Sequence, residues 1–136
     1  MIKLNFSITE LCKSDTAIKN NIPNAPDLVS VDHLLDLICN VLQPVRNKFG
    51  IITVTSGFRS YYVNKLVGGV SNSNHLYGYA ADIIPKQATF RQVYDFIVNN
   101  LDYDECFIEQ SNSKKWLHIA YRKGNNRKKH NPNYLI

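Results

Sequence analysis

Apolar residues along this chain switch between helical and alternating spacing, and the switches divide it into elements. From Asp27 to Phe49, Leu28, Val31, Leu34, Leu35, Ile38, Val41, Leu42 and Val45 recur at helical intervals, with Asp32, His33, Asp36, Asn40 and Gln43 on the polar side. Pro44 lacks an N–H and crowds the preceding turn, so it predicts a kink or division of this helix. Gly50 supplies its stop. Upstream, Phe6-Ser7-Ile8-Thr9-Glu10 predicts a short helix running to about Ser14, with Ser7 as N-cap and Glu10 completing a capping box. Asn21 to Pro26 is a polar, proline-containing connector.

Ile51 to Thr55 is a β-branched run and predicts a strand. Ser56-Gly57-Phe58-Arg59-Ser60 turns out of it into a short helix through about Leu66, and the Gly-, Ser- and Asn-rich stretch from Val67 to Asn74 predicts a loop. Ala80 to Ile84 predicts a second strand, stopped by Pro85. Thr89 to Asn99 predicts a helix with Phe90, Val93, Tyr94, Ile97 and Val98 inward. Cys106 to Gln110 and Trp116 to Tyr121 predict a hairpin about the polar turn Ser111 to Lys114. Helices first and a hairpin last indicate an α+β fold, a small mainly antiparallel sheet flanked by helices.

Side chains alternate faces along a strand, so Trp116, His118 and Ala120 share one face. A hairpin turning about Ser113 places Glu109 nearly opposite His118, with Phe107 on the same face and Cys106 and Ile108 behind.

Composition narrows the class. A chain of 136 residues, 44% hydrophobic and 20% charged, fits a single globular domain over 1–136. No apolar run in the sequence approaches the roughly 20 residues that span a bilayer. Met1 to Thr9 does not read as a secretory signal, which predicts synthesis in the cytoplasm. Cys12, Cys39 and Cys106 are too scattered for a disulfide framework or a zinc-ligand pair, and all are expected to be reduced. The net charge of +5 is uneven. Arg122, Lys123, Arg127, Lys128 and Lys129 crowd a stretch without acids, predicting a basic C-terminal tail over about 122–136. Such a tail either attracts a polyanion or keeps the protein soluble, and the second reading is preferred. It lacks aromatic interleaving until Tyr134, so a specific nucleic-acid partner is not expected.

The chemistry-bearing residues are few. His75 and Asp82 flank a small-residue turn, and His118 lies in a later apolar strand. Two imidazoles and a carboxylate are the protein half of a catalytic zinc site, whose fourth position stays open. Asp82 carries the most weight, because a carboxylate in an apolar strand needs a partner. Glu109 suits the base that such a site requires. Arg59 suits the cation that meets an oxyanion or a substrate carboxylate, because its planar fork binds carboxylates bidentately. His33 reads as solvated on the polar face of its helix, and His130 belongs to the basic tail.

Ser73-x-His75-x-x-Gly78-x-Ala80-x-Asp82, followed by Trp116-x-His118, resembles the zinc D-alanyl-D-alanine carboxypeptidase family, which includes bacterial and phage L-alanyl-D-glutamate endopeptidases and shares its fold with the hedgehog signalling domain. The segment Ser56 to Ser60 is similar to that family's arginine segment, and the resemblance extends over about half of the chain. It implies a hedgehog/DD-peptidase-like fold, Zn2+ held by His75, Asp82 and His118, Arg59 on the substrate, and Ser73 bracing the site. It also implies a metallopeptidase that hydrolyses D-amino-acid-containing bonds of peptidoglycan peptides, with Glu109 as base toward a zinc-activated water. Many members carry an acid where this chain has Lys115; small single-domain members instead have a Glu closing the preceding strand, which matches Glu109. The alternative is a non-catalytic zinc-stabilised binding module of the same fold. A monomeric phage or bacterial lysis enzyme, acting on the cell wall after release, is the expected setting.

Overall fold

The computed structural model describes residues 3–131. Two short helices, α1 (Ile8–Leu11) and α2 (Asp15–Lys19), open the chain, each capped by a serine. Ser7 Oγ accepts from Glu10 N at 3.0 Å, and Ser14 Oγ accepts from Ala17 N at 3.1 Å. The first helix therefore stops at Leu11 rather than near Ser14, because Ser14 starts another.

The long apolar stretch forms α3 (Leu28–Leu37), a π-helical turn at Ile38–Leu42, and α4 (Gln43–Phe49). The widened turn directly precedes Pro44, where the predicted interruption falls, and Gly50 (φ 83) ends the helix. Leu28–Phe49 has 22 residues and a mean hydropathy of 1.3, enough by length and composition to cross a membrane, which the sequence reading did not anticipate. Its Leu34, Leu37, Ile38, Val41, Leu42 and Val45 are instead buried in the core.

Strands β1 (Ile52–Ser56), β2 (Ala80–Pro85), β3 (Glu105–Ser111), β4 (Lys114–Ala120) and β5 (Lys129–His130) form one sheet in the order β1-β2-β4-β3-β5. The sheet is mixed rather than mainly antiparallel as predicted, because β5 runs parallel to β3. That short strand lies in the segment read as a basic tail, and no local apolar pattern announces it. Helix α5 (Tyr61–Leu66) follows β1, and α6 (Phe90–Asn100), opened by a Thr89–Gln92 capping box, joins β2 to β3.

The two faces of the sheet differ in chemistry. Ala81, Ile83, Cys106, Ile108, Leu117 and Ile119 are buried against the helices. Each alternates with a residue of the opposite face, which carries Asp82, Glu105, Phe107, Glu109, Trp116 and His118 around a cleft of about 470 Å³. The expected register is corrected: Phe107 lies opposite His118, and Glu109 lies opposite Trp116. Asn112, with φ 55, takes the left-handed turn position, and this sets the hairpin two residues away from the predicted pairing. A slip of two residues leaves every side chain on its predicted face.

Candidate metal centre

His75 enters the cleft from a single 3-10 turn, Asn74–Tyr77. Ser73 caps that turn, its Oγ accepting from His75 N at 3.2 Å. Gly78 closes it with φ 76, and a Cβ there would lie 2.4 Å from Ser30 O of α3. Only glycine fits both the left-handed backbone and this close approach. His33 is not merely solvated as expected: its Nδ1 lies 2.7 Å from Tyr77 O and its ring stacks on Tyr79 at 4.1 Å, tying the same turn to α3.

The buried His75 ring sets its Nδ1 2.7 Å from Gly57 O, so Nδ1–H donates to that carbonyl and Nε2 is turned toward Asp82. Nε2 lies 3.3 Å from Asp82 Oδ1. The same Oδ1 is 3.0 Å from His118 Nδ1. Asp82 is placed by β2, and His118 faces it across the β2–β4 pairing. On the other side of β2, a bulge between Val54 and Ser56 brings Ser56 opposite Asp82. Ser56 Oγ then accepts from Arg59 Nε at 3.3 Å, and Arg59 Nη2 sits 3.6 Å from Asp82 Oδ2.

Ligand atoms of His75, Asp82 and His118 all lie within 4.8 Å of one another. Two imidazole nitrogens and a carboxylate oxygen, converging from a cleft wall, form a donor set suited to Zn2+ with one side open to the cleft. The predicted ligands are thus brought together, and Arg59, Ser73 and Glu109 line or support the same cleft. Glu109 Oε1 accepts from Trp116 Nε1 at 2.9 Å. Lys115 occupies the other sheet face, its Nζ 5.6 Å from the Phe90 ring of α6, so it brings no group into the cleft.

Several functional neighbours escaped the sequence reading. Glu105 Oε1 is 2.9 Å from His118 Nε2 and accepts from Asn74 Nδ2 at 2.8 Å. A carboxylate on the distal nitrogen of a ligating histidine fixes its ring orientation and tautomer. Phe107, on the face predicted for it, stacks parallel to the same imidazole. Behind Glu105, the fully buried Asp104 accepts from Asn74 Nδ2 at 3.0 Å and from Arg127 Nε and Nη2 at 2.8 and 2.7 Å. Arg127 comes from the stretch expected to be a solvated tail. Most of 121–130 is exposed, as a solvated stretch would be, but its backbone is tied down: Lys128 N and Lys129 N donate to Tyr103 O and Asp104 O at 3.1 and 2.9 Å. His130 Nδ1 lies 3.0 Å from the Tyr103 hydroxyl. Tyr134 and the rest of 132–136 lie outside the described residues.

Electrostatics follow from this crowding. Burial pushes the Asp82 carboxyl upward, but the two imidazoles outweigh it and hold the group well below the usual carboxylate range. Burial alone would depress His118, yet its hydrogen bonds to the Asp82 and Glu105 carboxylates push it up to about 10. Without a metal, this imidazole is therefore a cation between two carboxylates. Burial lowers the Arg59 guanidinium, partly offset by Asp82 and Glu109.

The peptidase M15 family matches this chain over residues 4–120. A zinc D-Ala-D-Ala carboxypeptidase of Streptomyces albus G is 54% identical over 44 residues, a match covering 31% of this chain and 17% of that protein. The chain therefore aligns with about a sixth of that relative's length.

Proposed function

The chain belongs to the peptidase M15 family, and we propose that it is a zinc-dependent peptidase acting on the stem peptides or cross-links of peptidoglycan. The observation that carries this reading is the convergence of His75 Nε2 and His118 Nδ1 on Asp82 Oδ1 beside an open cleft. His75, Asp82 and His118 would hold the ion. Zinc, when bound there, supplies Lewis acidity toward the scissile carbonyl and lowers the pKa of water.

The remaining chemistry belongs to the protein. Glu109 takes the proton of the attacking water and returns it to the leaving amine. It shares the cleft face with His118, one diagonal step away, about 7 Å between the two positions, which leaves room for a water. Glu105 is engaged by His118 and Asn74, so its role is to orient the ligand. Lys115 points to the other face, and the acid function therefore falls to β3. Arg59 holds the substrate carboxylate or the developing oxyanion, its fork steadied by Ser56 and Asn64. Ser73 braces the turn that carries His75. Action on the cell wall after release from the cell suits this substrate.

Digestion of purified peptidoglycan with and without a chelator, followed by mass analysis of fragments, tests the reading. Chelator-sensitive release of peptides cut at a D-amino-acid bond is expected. Full zinc occupancy with intact muropeptides would overturn it in favour of a binding module. His75→Ala, Asp82→Ala and His118→Ala should each lose zinc, and retention of stoichiometric zinc would remove that residue from the ligand set.

A further inference from the structure

We propose that Asn24 is a positioning residue for the cleft: its side-chain amide fixes the backbone on both sides of Arg59 and so aims the guanidinium at the metal-binding face. The proposal rests on the peptidase reading, in which Arg59 meets the substrate, and adds the residue that holds Arg59 in place.

Asn24 lies half-buried in the connector between α2 and α3, with Pro23 and Pro26 stiffening the chain on either side. Its Nδ2 donates to Phe58 O at 2.9 Å and to Cys12 O at 2.8 Å, while its Oδ1 accepts from Ser60 N at 2.7 Å. The partners settle which way the amide points, since two carbonyls only accept and one N–H only donates. Phe58 O and Ser60 N belong to the two peptide groups that flank Arg59. A residue has only two soft backbone dihedrals, and these set the relative orientation of its flanking peptide planes. One amide that grips both planes therefore fixes φ and ψ of Arg59 together.

The rest of the turn is tied as closely. Phe58 N donates to Leu11 O at 2.7 Å, and Arg59 N donates to His75 O at 3.0 Å. A Cβ on Gly57 would lie 2.1 Å from Leu11 O, so the end of α1 leaves no slack there. Gly57 O in turn receives the His75 ring. The guanidinium itself is held more loosely. Its Nε reaches Ser56 Oγ and its Nη1 reaches Asn64 Oδ1, each at 3.3 Å, and Nη2 stands 3.6 Å from Asp82 Oδ2. Contacts of that length constrain a flexible side chain weakly, so its direction is inherited from the backbone that Asn24 holds.

Kinetics on soluble muropeptides and NMR of the arginine side chains test this. Asn24→Ala, Arg59→Ala and the double variant are assayed at saturating zinc, well below their melting temperatures. Asn24→Ala should lower kcat/KM about tenfold, as slight misplacement of a substrate-holding group does. In the Arg59→Ala background the same change should cost under about twofold, because the group it aims is gone. Equal losses in both backgrounds, the mark of a merely structural role, would overturn the proposal. In zinc-free protein labelled with nitrogen-15, Asn24→Ala should move the Arg59 Nε–H resonance toward those of solvated arginines, and an unchanged resonance would likewise overturn it. Asn24→Asp, of nearly equal size, keeps the bond from Ser60 N and loses both donors, so it carries the same comparisons if the alanine variant does not fold. Absence of turnover in the wild type would count against the peptidase reading, while the Arg59 resonance would still decide the role of Asn24.

Discussion

Arg127→Met should destabilise the fold by about 2–3 kcal/mol. The change keeps most of the aliphatic stem and deletes the fork that meets Asp104 through Nε and Nη2 at 2.8 and 2.7 Å. Asp104 is fully buried, and it would retain only Asn74 and the backbone N–H of residue 127. Removing one partner of a buried pair costs about 3–5 kcal/mol. Here the Arg127 side chain is 37% exposed, so water can partly replace it, and the loss falls to about 2–3 kcal/mol. Unfolding entropy for 136 residues is roughly 0.3 kcal/mol/K, so Tm should fall by about 7–10 °C. Circular-dichroism melts in excess chelator isolate the effect from zinc binding. Asp104→Asn completes a double-mutant cycle, and the double variant should lose less than the sum of the single losses. The sign with pH follows from Asp104, whose carboxyl is pushed up by burial but held below its ordinary value by Arg127. Its contribution is present above the ordinary 3.8 and is lost as pH falls through the folded value, so the gap between wild type and variant should close in acid. A Tm change under about 2 °C, or strict additivity in the cycle, would refute the pairing as a source of stability.

Glu109→Gln should keep one zinc per chain and lower kcat by about 10²–10⁴ on muropeptides; an unchanged kcat would move the base role elsewhere. Zinc must displace the proton that Asp82 and Glu105 hold on His118, which is pushed up to about 10. Apparent zinc affinity, measured by chelator competition, should therefore rise about tenfold per pH unit through neutrality, and a plateau above about pH 7 would contradict this. Gly78→Ala forces a Cβ at φ 76 to within 2.4 Å of Ser30 O. It should cost about 2–4 kcal/mol and weaken zinc binding, and a melt shifted by under about 3 °C would show that α3 simply yields.

What the sequence makes legible follows from how local each signal is. Asp82 stands out because an apolar strand has no other reason to hold a carboxylate, and its burial between two imidazoles answers that anomaly. The long helix, the break near Pro44 and the hairpin rest on short-range periodicity and backbone limits, which act within a few residues. The hairpin register was less legible, since it depended on which residue took the left-handed turn position, and Asn112 did so. Faces survived the error because side chains repeat every two residues, whereas opposite partners did not. Glu105 was placed before the strand rather than in it, and its contact with His118 depends on that extra pair.

The stretch from Arg122 to Lys129 shows why composition cannot assign roles to charges. Five cations without an acid look alike in sequence, yet their surroundings divide them. Arg127 is consumed by a carboxylate that the fold buries, and Lys128 pairs with Asp102 at the surface. Arg122 and Lys129 line the cleft. Asp104 makes the division possible. Its side chain anchors Arg127, and its carbonyl accepts from Lys129 N, so one buried acid fixes the path that delivers the remaining cations to the site. A residue beside β3 thereby couples fold stability to the electrostatics of the cleft. A buried acid can thus anchor one cation of a basic stretch while the stretch itself stays largely exposed.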